Sequence, residues 1–350
     1  MKEKKTCEYG SLVNAATTTI TASSPISSKG TSGRSSTHPV TPAIDVIDLA
    51  VPELRLLHHF TTTTVPSLSS DDRTTDGLRE YGIKLAFDNP YLLHGMLALA
   101  ALHLSRLEKD KAKSGEYVTQ AVRHHDAGLT RFREDVQDLN LQNYQPVLFY
   151  STIVYPYYSA LPVDEESGPE HVWDIEIHHL SLIRGIRPLI SPFWPIVFES
   201  ELAQFIWKDA LTIDWDQTPE STEVSHLRLL PEEPGLMCSR ERKAALSEAI
   251  RQLEVLFSEI AGRKHPSSSM LKVWPHHIPA QFVDLLAERD PAALIVFAHY
   301  SVMLDRSVTY WFMEGSSARI LRTVQALLKE ERWNRWLQWP LKEWNASIKR

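Results

Sequence analysis

Only two cysteines, Cys7 and Cys238, occur in the 350 residues. Two are too few for a disulfide framework and point to a reducing intracellular compartment. Positive charge is short as well: 37 Lys and Arg against 44 Asp and Glu leave a net charge of -7. Surfaces that attract phosphate backbones by themselves are usually basic, so DNA is expected to be reached only indirectly, through a partner protein. A membrane span needs roughly 20 apolar residues. Within the most apolar stretch, NPYLLHGMLALAALHLSRLE from Asn89 to Glu108, the apolar run is shorter, carries His94 and His103, and ends in charge at Arg106. No apolar stretch follows MKEKKTCEYG, so no secretory signal is read there. Adjacent strand patterns are missing throughout, which makes the expected class all-α, a single large helical domain of about ten or more helices.

What is present sorts into a tail and that domain. Residues 1–44 are rich in Ser, Thr, Ala, Gly and Pro, a composition that buries too little apolar area to offset the entropy of ordering. They read as disordered, and residues 45–350 as the helical domain. Ile47, Ala50, Leu54, Leu57 and Phe60 recur at helical spacing before a Thr-rich run, Thr61 to Thr64. The Asn89 stretch is the central helix. Pro90 at its first turn loses no hydrogen bond, Asn89 is placed to cap, and apolar groups from Leu92 to Leu107 require burial on nearly every side. A charged break, EKDKAKSG, and a second amphipathic helix from about Glu116 to Leu139 predict an antiparallel pair, with Val118, Val122, Phe132 and Val136 inward. Pro156 is expected to kink or end the next helix, and Gly185 to close the one after. Asp214 to Pro234 and Pro275 to Pro279 read as loops. Asp290 caps and Pro291 opens another buried helix, expected to reach Thr309.

Chemistry-bearing patterns fail on spacing. Four pairs of adjacent histidines (His58 and His59, His124 and His125, His178 and His179, His276 and His277) cannot share a metal on a helix, because neighbours point about 100° apart. Core or interface histidines are the default, and no metal or cofactor is expected. Asp71, Asp72 and Asp76 resemble the magnesium motif of terpene cyclases, but they lie among turn formers beside Arg73. No phosphate loop, nucleophile elbow or catalytic Cys/His spacing is found, so the chain is not expected to be an enzyme. Tyr310, Trp311 and Phe312 cluster just before Gly315. They are either core packing or the wall of an apolar ligand pocket, with Gly315 letting the backbone bend.

Three stretches carry a resemblance: LRLLHHFTTTT; the Asn89 helix with RHHDAGLTRFRED after it; and PAALIVFAHYSVML with YWFMEG and WNRWLQWP. In order, spacing and aromatic positions they resemble the regulatory domain of fungal zinc-cluster transcription factors of the sterol uptake control type. The resemblance spans roughly Asp45 to Pro340. It implies an all-helical effector-binding domain acting in the nucleus, with a sterol-like hydrophobic effector docked near Tyr310, Trp311, Phe312 and Gly315, and a homo- or heterodimer as an open alternative to the monomer. The family's DNA reader is a six-cysteine zinc cluster that Cys7 alone does not supply, so the expectation is a regulator without its own zinc cluster. Phe312 and Ser316 also stand where the family tends to show further aromatics. The competing reading is a helical ligand carrier or interaction protein outside transcription.

Overall fold

The computed structural model describes residues 50–69, 75–204, 212–234, 236, 239–261, 263, 267–306 and 310–347. The expected tail, both cysteines, Asp71 and Asp72 lie outside them. In chain order the helices are α1 (Val51–His59), α2 (Ile83–Asp88), α3 (Pro90–Leu107), α4 (Lys111–Gln137), α5 (Tyr144–Ala160), α6 (Pro169–Ile190) and α7 (Trp194–Glu199). They continue with α8 (Arg240–Ile260), α9 (Ser268–His277), α10 (Ala280–Ala287), α11 (Pro291–Asp305), α12 (Ser316–Leu327) and α13 (Asn334–Ser347). No strand occurs among the described residues, and the fold is all-α.

Helix α3 is the centre of the first half, with Leu92, Met96, Leu99, Ala100, Ala101 and Leu102 wholly buried. Small residues set how close its neighbours come. A Cβ on Gly95 would stand 2.7 Å from the Tyr150 ring of α5, and one on Gly128 of α4 would stand 2.8 Å from the Tyr91 carbonyl. The α3/α4 pair is antiparallel: the Ser114 hydroxyl donates to the Ser105 carbonyl at one end, and Gly128 meets Tyr91 at the other. The break between them is shorter than EKDKAKSG suggests, because Asp110 accepts from the Ala112 and Lys113 amides and starts α4 at once. Asn89 occupies the cap position of α3 but does not cap. Its amide donates back to the Leu85 carbonyl instead.

Helix α11 is the second centre, with Ala292 to Met303 buried throughout. Asp290 accepts from the Ala292 and Ala293 amides as its sequence position predicts. Two tryptophans tie the surrounding helices together through their indole N–H groups: Trp173 donates to the Leu286 carbonyl and Trp274 to the Ala249 carbonyl.

Several boundaries differ from their expectations, each where tertiary contacts outweigh a local signal. Helix α5 runs through Pro156, held by buried Ile153 and Tyr157 on either side. Helix α6 runs past Gly185 to Ile190, so that glycine is no cap. The segment at 214–234 is not a bare loop: Val224, Leu227 and Leu230 are fully buried, and Glu254 accepts from Ser225 and Arg228. Pro275 belongs to α9, whose end carbonyls receive the Arg184 guanidinium at Pro275 and Ile278. Helix α11 ends at Asp305, and residues 307–309 are outside the described ones. Leu54, Leu107 and Val122, read as inward, are exposed, and Leu56 takes the buried position on α1.

Candidate functional site

The aromatic segment after α11 forms a single 3-10 turn, Trp311–Met313. Tyr310 and Phe312 are buried at 2% and 1% exposure, while Trp311 is half-buried. The Trp311 ring stacks on His103 of α3, centroids 4.5 Å apart and 15° from parallel. His103 Nδ1 stands 3.1 Å from the Thr64 hydroxyl, and its ring lies 5.1 Å from that of His59. Three distant stretches of sequence, HHFTTTT, the central helix and YWFMEG, therefore meet at one imidazole. Burial, with His59 adding, pulls His103 down to about 4, so the ring is neutral at physiological pH. The indole Nε1 of Trp311 and Nε2 of His59 are buried without a hydrogen-bond partner. An unsatisfied buried donor costs about 1–3 kcal/mol, which an acceptor brought by a ligand would return.

From Trp311 the aromatic contacts continue through Phe312. Phe312 packs edge-on against Tyr155 of α5, centroids 6.3 Å apart, and the Lys272 ammonium of α9 stands 5.5 Å from the centroid of the Tyr155 ring. Burial pushes the Tyr155 phenol up to about 12 and pulls Lys272 down to about 8, which places both deep in the fold. Both nonetheless keep intermediate exposure. Beside them Glu176 of α6 accepts from Arg319 Nε of α12 at 2.8 Å, with His179 Nδ1 3.7 Å away. Desolvation pushes the Glu176 carboxyl up, but His179 and Arg319 outweigh it and hold it below the usual range.

Gly315 has φ 76°, the left-handed region that favours glycine, at the residue before α12. It is exposed, and an added Cβ there would meet nothing within 4 Å. Its part is to turn the chain from Met313 into α12. Tyr155, Lys272, Glu176 and Arg319 were not singled out by sequence reasoning. The available signal was a lysine inside the apolar run Met270, Leu271, Val273, Trp274.

The histidine pairs divide as helical geometry requires. His124 faces His94, with Nδ1 atoms 3.0 Å apart, whereas His125 Nε2 faces the Tyr158 hydroxyl at 3.0 Å. His178 packs edge-on against Tyr158 while His179 faces Glu176. No group of three or more His, Cys, Asp or Glu that could hold a metal occurs among the described residues. Asp76 is exposed and pairs with Arg79 at 3.5 Å. Among the described residues no helix is long and apolar enough to cross a membrane.

Residues 55–156, which run from α1 through most of α5, match the fungal specific transcription factor domain. It is 28% identical to the Zn(2)-C6 fungal-type transcription factor afumD of Aspergillus fumigatus over 267 residues, 73% of this chain and 68% of that protein. It is 22% identical to a Zn(2)-C6 fungal-type transcription factor of Gibberella zeae, covering 83% of this chain and 61% of the relative. To Sterol uptake control protein 2 of Candida albicans it is 24% identical, over 76% of this chain and 39% of the relative. The chain thus spans about two thirds or less of these relatives. The domain match and the relatives support a regulator of the fungal transcription-factor type, and the relatives themselves are transcription factors, which are not enzymes.

Proposed function

We propose that residues 45–350 are one effector-binding domain that regulates transcription of a metabolic pathway in a filamentous fungus, of sterols or of secondary metabolites. It works in the nucleus and reaches DNA through a partner protein. The effector is an apolar, sterol-like molecule that docks beside Tyr310, Trp311, Phe312 and Gly315, against α11. The observation that carries this reading is the Trp311 indole: it is stacked on His103, has a buried N–H without a partner, and is followed by Phe312, which packs edge-on against Tyr155. The resemblance to a protein named for control of sterol uptake supports the choice of ligand class.

The test is binding of a panel of sterols and other apolar molecules, read by tryptophan fluorescence, to wild type and to Trp311→Ala. Saturable binding that weakens in the variant, with unchanged thermal unfolding of the free protein, supports the pocket. If no apolar molecule binds wild type, the aromatics are core packing alone. Nuclear fractionation with transcript profiling of a deletion strain addresses the regulatory half. Strictly cytosolic protein with unaltered transcripts would favour the ligand-carrier reading.

A further inference from the structure

Of the histidines that meet another histidine among the described residues, one pair stands where solvent reaches both rings. His94 of α3 and His124 of α4 bring their Nδ1 atoms to 3.0 Å, with ring centroids 5.3 Å apart, and both are half-buried. The other pairs are committed elsewhere. His299 is wholly buried with its Nδ1 against the Ile295 carbonyl, and the Nδ1 of His103 is engaged by the Thr64 hydroxyl. Spacing excludes a shared metal for histidines adjacent in sequence, but not for two that different helices turn toward each other. The crossing is tight here: an added Cβ on Gly128 of α4, one turn beyond His124, would meet the His94 Cβ at 3.2 Å. Burial, with His94 adding, lowers His124 and keeps its ring neutral at physiological pH, the form that ligates a metal. Glu53 of α1 is near enough for its negative charge to act on the same ring, more strongly than Arg123 acts in the opposite sense.

We propose that His94 and His124 form a two-histidine clip for a divalent transition metal of the zinc or copper type, with both Nδ1 atoms as ligands and water completing the coordination. Zinc–imidazole bonds of about 2.0–2.1 Å in a tetrahedral arrangement put two nitrogens roughly 3.3 Å apart, so the present gap has to open by only about 0.3 Å. Without metal, one ring donates its Nδ1–H to the other. With metal, that proton moves to Nε2 of its own ring, so both rings stay neutral and no proton is released. A third protein ligand is not assigned, in keeping with the lack of any group of three His, Cys, Asp or Glu that could hold a metal among the described residues. Glu53 favours the cation through its charge alone. Imidazole nitrogens suit zinc, nickel and copper and discriminate against magnesium and calcium. The bound ion fastens α3 to α4 within residues 55–156, the stretch that matches the transcription-factor domain. The clip is independent of the apolar-effector reading, since it uses none of the residues around Trp311.

Zinc, nickel, copper(II) and magnesium salts are titrated by calorimetry into the full chain and into His94→Gln, His124→Gln and the double variant at neutral pH. A parallel wild-type sample has Cys7 and Cys238 alkylated, because thiolates also bind these ions. We expect a single tightest zinc site, copper bound more tightly still, and magnesium not at all. Either single variant should lose at least about tenfold in zinc affinity, about 1.4 kcal/mol, with little further loss in the double variant. Zinc should raise the unfolding temperature of wild type and of the alkylated protein, and leave that of the variants unchanged. Electron paramagnetic resonance of the copper-loaded wild type should show coupling to two imidazole nitrogens, a readout that does not depend on any variant folding. Failure of zinc to bind wild type at millimolar concentration overturns the proposal. Undiminished binding in the double variant, binding lost on alkylation, or a copper spectrum without two imidazole nitrogens puts the metal elsewhere on the chain and overturns it as well. Thermal unfolding of each variant without metal separates a lost ligand from lost structure.

Discussion

His226 and His299 meet Nε2 to Nε2 at 3.1 Å, and His299 Nδ1 lies 2.8 Å from the Ile295 carbonyl. Only one proton arrangement satisfies both contacts. His299 must donate from Nδ1 to the carbonyl and accept at Nε2, so His226 donates. With His226 donating from Nε2, a proton added to His299 would turn two N–H groups against each other inside the core, where the ring also stacks on Trp339. Burial accordingly pulls His299 down to about 3, and burial lowers His226 as well.

The first prediction is therefore acid lability. An unfolded histidine takes its proton near 6.5, whereas His103 and His299 do so only near 4 and 3 in the fold. Between these values the unfolded chain binds more protons, so stability is full above about 6.5 and declines as pH falls. At pH 5 each such histidine should cost about 2 kcal/mol relative to neutral pH. Urea midpoints measured from pH 7.5 to 5 check this, and a flat profile would contradict the buried neutral rings. His299→Gln should flatten the slope.

Removing one member of the Glu176–Arg319 pair should be costly. Glu176→Gln leaves the buried guanidinium uncompensated, with an expected loss of about 3–5 kcal/mol. The double variant Glu176→Leu with Arg319→Met should recover most of it. Denaturant unfolding of the two checks this, and a loss below about 1 kcal/mol in the single variant would exclude real burial of the pair.

Two glycines on α4 should respond in opposite directions. Gly128→Ala drives a methyl against the Tyr91 carbonyl, which is backbone and cannot swing away, so about 1–3 kcal/mol should be lost. Gly115→Ala meets nothing within 4 Å and is exposed, and should gain up to about 1 kcal/mol from helix propensity. Thermal unfolding of both variants at neutral pH is sufficient.

Gly315 should be sensitive to backbone strain and indifferent to charge. Its positive φ makes Gly315→Ala and Gly315→Asp each lose about 1–2 kcal/mol, with Gly315→Asn milder because asparagine tolerates the left-handed region. The open space around it means that aspartate buries no charge there. A much larger loss for aspartate than for alanine would place this residue inside a closed pocket instead of at its rim.

Limited proteolysis should leave one protected fragment from about residue 45 to the C-terminus. Buried Leu227 and Leu230, with Ser225 and Arg228 bound to Glu254, make cleavage within 222–233 slow. Two stable fragments divided there would argue for two domains.

What the sequence determined by itself is the set of features that need only near neighbours. The starts at Pro90 and Asp290, the all-α class, the two helices buried on every side, and the failure of adjacent histidines to share a ligand all follow from capping and from 3.6-residue periodicity. Those effects act over one or two turns, so one stretch of chain is enough to read them. Tertiary structure decided the rest. Pro156 and Gly185 look like stops, yet the helices run through them because packed side chains on both sides hold them. Asn89 has the chemistry of a cap but spends its amide on Leu85. Trp311 and Lys272 were an aromatic in a cluster and a lysine in an apolar run until the fold set one on His103 and the other against Tyr155. Neither relationship leaves a periodic trace, because residues brought together from remote segments depend on how every helix between them packs.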